Sequence, residues 1–265
     1  MGARLLGMRQ VLKPWGRSVL PAPFANEGAD PVGEIWFADE DAPPLPLLAK
    51  YLFTSEKLSV QVHPNDAQAR ARGLASGKEE CWLVIDAEPD AVLGIGTLRP
   101  LSADELRAAA LDGSIAALMD WKPVARGDFF YIPAGTVHAI GAGVSLIEVQ
   151  QNADVTYRLY DYGRPRELHL DDGVAVADAR PYADPRAAHV DFAADRMLVD
   201  GPIFRVMLGG DQCDLAGSGA SLILPLTGRV FAGGASAGPG DCLAVDAGTP
   251  WHAEPEARLL IARMV

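Results

Sequence analysis

The stretch GDFFYIPAGTVHA, residues 127–139, returns later in the chain as GDCLAVDAGTPWHA, residues 240–253. Each copy opens on Gly-Asp and runs through a mostly apolar segment to Ala-Gly-Thr. Each then reaches a His-Ala pair and passes into a further apolar run. Such self-similarity marks one β-unit used twice. Outward from these copies the chain keeps the same rhythm. LSVQVH (58–63), CWLVID (81–86), AVLGIG (91–96) and VSLIEVQ (144–150) are short apolar runs, and FRVML (204–208), SLILPLTG (221–228) and ARLLIARM (257–264) continue the series. Gly, Pro and Asp punctuate them. Many short strands at this spacing predict a mainly all-β fold of the sandwich or barrel kind. Helical signals are few. Ser102 and Glu105 form a capping-box pattern opening a helix through Leu111, which Gly113 stops. Asp66–Arg72 reads as another short helix.

The 265 residues suffice for one large domain or two small ones. The Ala/Asp/Pro/Arg-rich segment ADARPYADPRA (177–187) sets an expected division into lobes at 1–176 and 177–265, with a soft boundary. Apolar residues make up 49% and charged residues 22%, ordinary globular usage that supports a sizeable core. Lys plus Arg number 23 against 35 Asp plus Glu, a formal charge of −12. That balance disfavours nucleic acid and anionic membranes as partners, since both need a basic footprint. Cys81, Cys213 and Cys242 are too few and too scattered for a disulfide framework. The N-terminal stretch lacks the long apolar core of a signal peptide, and no run reaches the ~18 apolar residues of a membrane span. The expected setting is the cytoplasm, as a monomer or small homo-oligomer.

Side chains alternate faces along a strand. On 58–63 this puts Leu58, Val60 and Val62 on a core face and Ser59, Gln61 and His63 on the other. Pro64 cannot donate to a ladder and ends the strand. In GKEECWLVID, Lys78, Glu80, Trp82 and Val84 share one face. Past the Pro-Ala-Gly turn, Thr136, His138 and Ile140 share another. One amide oxygen, one carboxylate and two imidazole nitrogens form a mixed N/O set that suits zinc or another first-row divalent metal. Spacing alone does not bring the three segments together.

The pattern Gly127-x5-Pro133-x-Gly135-x2-His138 resembles the second motif of the cupin family. Longer strings resemble a narrower group: KPWG (13–16), VGEIW (32–36), PLLAKYLFTSEKLSVQVHPND (46–66), GKEECW (77–82), GTVHAIGAGVSLIEVQQNADVTYRLYDYGR (135–164) and RELHLDDG (166–173). Over residues 11–175 the chain looks like type I mannose-6-phosphate isomerase. The resemblance implies two cupin-like β-barrel or jelly-roll lobes, the first carrying the site and the second degenerate. It implies one Zn²⁺ per chain, held by Gln61, His63, Glu80 and His138. It further implies a pocket with Lys78, Glu148 and Arg158 in catalytic positions, and Lys50 and Arg164 at substrate-binding positions. Ser59 is a plausible further contact. The implied partner is a small phosphosugar, and the implied reaction interconverts mannose 6-phosphate and fructose 6-phosphate through an enediolate. In that reading Arg158 offsets oxyanion charge, and Lys78, with a depressed pKa, is the candidate proton shuttle, a role for which Glu148 and metal-bound water compete.

Two other functions remain open at this stage: a non-catalytic sugar-phosphate-binding cupin, and another metal-dependent cupin sugar isomerase. Related metal cupins commonly carry H-x-H in the first motif, and Gln61-x-His63 here favours the mannose reading. In the second copy of the repeat Trp251 occupies the place of His138, so His252 reads as structural.

Overall fold

The structure, a computed structural model, describes residues 2–38, 42–211, 213 and 215–265. Strands occupy 44% of the chain and helices 10%, as the punctuated apolar runs predict. The first lobe is built on two antiparallel sheets. A seven-stranded sheet runs in the spatial order Ala188–His189, Asp128–Ile132, Glu80–Ala87, Val144–Gln151, Leu47–Phe53, Val32–Ala38, Gly7–Arg17. A five-stranded sheet runs Tyr157–Tyr160, Val60–Val62, His138–Ile140, Val92–Thr97, Met119–Pro123. Trp82, Val84 and Leu146 from the first sheet pack against Leu93, Ile95 and Ile140 from the second, filling one end of the space between them.

Alternation explains the other surfaces. Val60 and Val62 turn outward from the five-stranded sheet, under Leu106, Ala109 and Ile115. The helix bearing Leu106, Ala103–Asp112, has the reciprocal Ser102–Glu105 capping box and ends at Gly113 in the left-handed region. The shorter helix, Asp66–Arg70, is capped the same way by Asn65 and Gln68. Cys81 and Leu83, on the opposite face from Trp82, point away from the first lobe's interior with Ile147 and Val149.

That outer face meets the second lobe. Phe129, Tyr131 and Ile147 share one buried cluster with Phe204, Val206, Leu224 and Leu260. The second lobe has a six-stranded sheet, in the order Ala3–Leu5, Leu243–Val245, Ser218–Thr227, Arg258–Met264, Phe204–Gly209, Arg196–Asp200. Beside it lies a three-stranded sheet in the order Ala235–Ala237, Val230–Ala232, Trp251–Ala253. Two segments cross the division expected at 176/177. Ala3–Leu5 pairs with Leu243–Val245 in the second lobe, and Ala188–His189 pairs with Asp128–Phe129 in the first. Neither strand is long enough to show a period of its own. Among the described residues no helix is long and apolar enough to cross a membrane.

Phe204 is fully buried in the cluster that joins the lobes. Phe204→Ala is expected to lower unfolding free energy by about 3–5 kcal/mol. Urea denaturation followed by fluorescence and circular dichroism measures it.

Candidate metal centre and cavity

Backbone contacts bring the three motif segments together. Gly135 N–H donates to the His63 carbonyl at 2.8 Å, and Lys78 N–H donates to the Pro64 carbonyl at 3.0 Å. Two glycines permit this approach. Gly135 has φ +87°, left-handed backbone that disfavours a side chain. At Gly77 an added Cβ would lie 2.4 Å from the Asn65 carbonyl carbon. Asp66 closes the junction by accepting from Gly77 N–H at 2.8 Å and from Gln151 Nε2 at 3.0 Å. Those two bonds hold its carboxyl below the usual range, Gln151 contributing most.

His63, Glu80 and His138 then converge, with ligand atoms all within 4.8 Å of one another. His63 Nε2 lies 3.5 Å from Glu80 Oε2, and His138 Nε2 lies 3.4 Å from Glu80 Oε1. Each imidazole is oriented from behind. His63 Nδ1 lies 2.8 Å from the Val155 carbonyl, and His138 Nδ1 lies 2.8 Å from the Thr136 carbonyl. A carbonyl can only accept, so each Nδ1 carries the proton and each Nε2 presents a lone pair inward. Lys78 Nζ, 3.1 Å from His63 Nε2, donates to that lone pair. Burial keeps both rings neutral, pulling His138 down to about 4 and His63 well below its ordinary value.

Among the described residues neither Glu80 oxygen has an aligned hydrogen-bond donor, although the carboxylate is completely buried. The Lys78 ammonium is 2.7 Å from Oε2, close in charge but off the bonding direction. Burial and the nearby Glu148 charge push the Glu80 carboxyl up, with Lys78 only partly offsetting them. Two lone pairs and an undersatisfied carboxylate facing one point fit a divalent cation. Gln61 stands beside them, its amide nitrogen 3.3 Å from His138 Nε2 and its Oε1 accepting from Ser59 Oγ at 3.2 Å. Register places His138 and Arg158 on either side of Gln61 in adjacent strands.

A cavity opens beside this cluster. Lys13, Lys50, Lys78, Arg158 and Arg166 line it, against the carboxylates of Glu34, Glu148 and Asp154. Glu148 is gripped on both oxygens, by Lys50 Nζ at 3.1 Å and Trp82 Nε1 at 3.1 Å. Burial would raise its pKa, but Lys50 and Lys78 outweigh burial and hold it ionised. Lys78 departs from the depressed pKa expected of it. Burial does push it down, but the carboxylates of Glu80, Glu148 and Glu34 push harder and raise it. Arg158 donates Nη1–H to the Glu167 carbonyl at 2.7 Å, and its buried Nε has no partner among the described residues.

The structure brings nine of the ten sequence-derived positions to the cluster or its cavity. Arg164 is the one outside the lining: it donates to Glu56 at 2.7 Å and to Asp161 at 3.1 Å. Arg166 reaches the cavity instead, held by paired bonds to buried Asp161 at 2.5 and 2.7 Å. Glu34, Trp36 and Gln150 also line it without having been singled out. VGEIW carries the first two, and Arg166 opens RELHLDDG. His252 is exposed, stacks on Phe231 at 5.2 Å, and joins no metal-ligand cluster among the described residues.

The fold as a whole is shared with solved mannose 6-phosphate isomerases. Over 171 residues, 60% of its length, the chain is 39% identical to a mannose-6-phosphate isomerase of Bacillus subtilis, of which it covers 54%. It thus spans about half the length of the curated relatives it matches. The crystal structure of the mannose 6-phosphate isomerase from Bacillus subtilis superposes with a TM-score of 0.81 at 24% identity, over 99% of this chain and 100% of that one. A mannose 6-phosphate isomerase solved with zinc bound gives 0.72 at 16% identity, over 99% of each chain. No protein-family model matches the chain.

Asp66→Asn weakens the clamp and is expected to cost about 1 kcal/mol at neutral pH. Because the folded carboxyl is more acidic than the unfolded one, wild-type Asp66 stabilises fully above the unfolded value of 3.8. Its contribution fades as pH falls through the folded value. Denaturation midpoints of both forms should therefore converge in acid, and a constant gap across pH would remove this role.

Proposed function

We propose that the chain is a metal-dependent aldose–ketose isomerase that interconverts mannose 6-phosphate and fructose 6-phosphate. The observation that carries this reading is the undersatisfied Glu80 carboxylate facing two inward imidazole lone pairs beside a cation-rich cavity. The similarity to proteins of that name over 60% of the chain supports the substrate class.

Zinc, one per chain, would be held by Gln61, His63, Glu80 and His138, with the Gln61 amide turned to present its oxygen. When bound, it withdraws electron density from the sugar oxygens at C1 and C2. In the reaction one proton leaves C2 and one is delivered to C1, while O2 loses its proton and O1 gains one. Charge on those oxygens in the enediolate is the barrier to be lowered. Arg158 stays protonated, and its unsatisfied Nε and lining position suit it to that charge. Lys78 is assigned the proton transfer. Its firm hold on a proton comes chiefly from Glu80. Were Glu80 committed to a bound dication, that support would be withdrawn from Lys78.

Glu148 serves as a fixed counter-charge for Lys50 and Lys78, since a carboxylate so strongly held ionised is a weak base. Ser59, which donates to Gln61 Oε1 here, would accept from the Gln61 amide nitrogen once the amide is turned. Arg166 and Lys50 are assigned the phosphate, with Arg164 supporting the Asp161 carboxylate that holds Arg166. Local cations explain how a chain of net charge −12 binds an anion. The buried, unpaired Cys81 and Cys242 thiols fit a reducing compartment, and we assign the cytoplasm.

A coupled assay on zinc-loaded protein is expected to show turnover of mannose 6-phosphate. Metal analysis is expected to give about one ion per chain, lost in His138→Ala. Arg158→Ala should lower kcat by about 100–1000-fold with metal retained. Stoichiometric metal and saturable sugar-phosphate binding without turnover would instead indicate a non-catalytic binding protein.

A further inference from the structure

Lys13 is a cation that the sequence motifs left unassigned and that the structure turns into the cavity wall. It sits on the Gly7–Arg17 strand, at the outer edge of the seven-stranded sheet. That strand bulges between Leu12 and Arg17, both of which align with Val32. A bulge re-aims side chains, and here Leu12 is left exposed while Lys13 and Trp15 line the cavity. The stem of Lys13 lies across Gly33, where an added Cβ would come 2.6 Å from the Lys13 Cβ. Its backbone N–H donates to the Pro31 carbonyl at 3.1 Å. At the tip, Nζ is 3.1 Å from Glu34 Oε1. The Trp36 indole N–H donates to the other oxygen, Oε2, at 2.5 Å, so Glu34 is itself held. The Lys13 side chain keeps 29% of its surface exposed, so a molecule in the cavity can touch it. An ammonium carries three donors, and Glu34 occupies one.

Position across the sheet narrows what the remaining donors meet. From the metal cluster outward the strands run Glu80–Ala87, Val144–Gln151, Leu47–Phe53, Val32–Ala38 and Gly7–Arg17. In register, Gln150 faces Glu80, Glu148 faces Lys50, and Lys50 faces Trp36. Neighbouring strands lie about 4.8 Å apart, which sets the Lys50 strand about 10 Å from the strand that carries Glu80. Lys13 reaches back from the sheet edge to Glu34, a carboxylate it shares with Lys50 at 3.7 Å. Two ammonium groups therefore flank one wall of the cavity, away from the metal cluster. If the isomerase reading holds, C1 and C2 lie at that cluster, and the phosphate, four carbons beyond C2, points toward this wall. Glu34 already faces two ammonium groups and an indole N–H, so it does not stand bare against an incoming anion. Charge-assisted bonds from such a pair suit a phosphate dianion. We propose that Lys13 is a substrate-binding residue that donates to the sugar's 6-phosphate beside Lys50.

This role for Lys13 rests on the isomerase reading, and the test separates the two. Zinc-loaded wild type, Lys13→Met and Lys13→Arg are assayed with mannose 6-phosphate, and with inorganic phosphate as a competitive inhibitor. Methionine keeps an unbranched stem and removes the charge. Lys13→Met is expected to raise KM and the inhibition constant of phosphate together by about 10–100-fold, with kcat within about threefold of wild type. Lys13→Arg is expected to recover most of both losses. An ion pair with Glu34 that served the fold alone would leave the inhibition constant of phosphate where it was. Unchanged KM and inhibition constant in Lys13→Met, or a loss confined to kcat, overturns the assignment with the isomerase reading intact. Absence of wild-type turnover overturns both. Should Lys13→Met fail to fold or to hold metal, a crystal structure of wild type with fructose 6-phosphate decides. A phosphate oxygen within about 3.2 Å of Lys13 Nζ supports the proposal, and a phosphate bound out of reach of Lys13 overturns it.

Discussion

The rest of the site depends on one buried carboxylate that the protein leaves without an aligned donor. Glu80 is completely enclosed with only the Lys78 ammonium as a charge partner, and a buried carboxylate short of hydrogen bonds is costly. Among the described residues none of the groups around it completes a hydrogen bond to it. Lys78 approaches one oxygen, and two imidazoles turn their lone pairs toward the same point. Lone pairs and a carboxylate repel one another unless a cation lies between them. The carbonyls of Val155 and Thr136 fix the histidine tautomers, so that this repulsion cannot be relieved by moving a ring proton.

The cavity is a second electrostatic construction layered on the first. Lys50 and Lys78 keep Glu148 ionised, and Glu148 with Glu34 keeps both lysines in place. Such a network is self-supporting only when its members are mutually satisfied. Its excess cations face the cavity, while the acidic surplus of the chain lies on its surface. The second lobe contributes a wall of apolar contacts behind the seven-stranded sheet that carries Lys50, Glu80 and Glu148, and holds that sheet from its far side.

Face alternation made much of this legible in the sequence. Gln61 turns into the cavity because Val60 and Val62 must turn out under the helices. Glu80 shares its face with Trp82 for the same reason. What alternation cannot read is what a loop does. Arg164 and Arg166 are both basic residues on the segment after Tyr160, and which one reaches the cavity follows from how that segment turns. Tyr162 there takes φ +54°, and buried Asp161 accepts from both arginines. The sign of the Lys78 shift was missed because three carboxylates from separate strands gather around one ammonium. Ala3–Leu5 offers no pattern long enough to reveal its partner in the second lobe.

The most direct test of the central claim is anomalous diffraction from crystals of the zinc-loaded protein, with data on both sides of the zinc absorption edge. The account predicts one strong peak per chain within coordination distance of His63 Nε2, His138 Nε2 and a Glu80 oxygen, about 2.0–2.2 Å from each. A difference map empty at that point, with zinc bound elsewhere or nowhere, would contradict it.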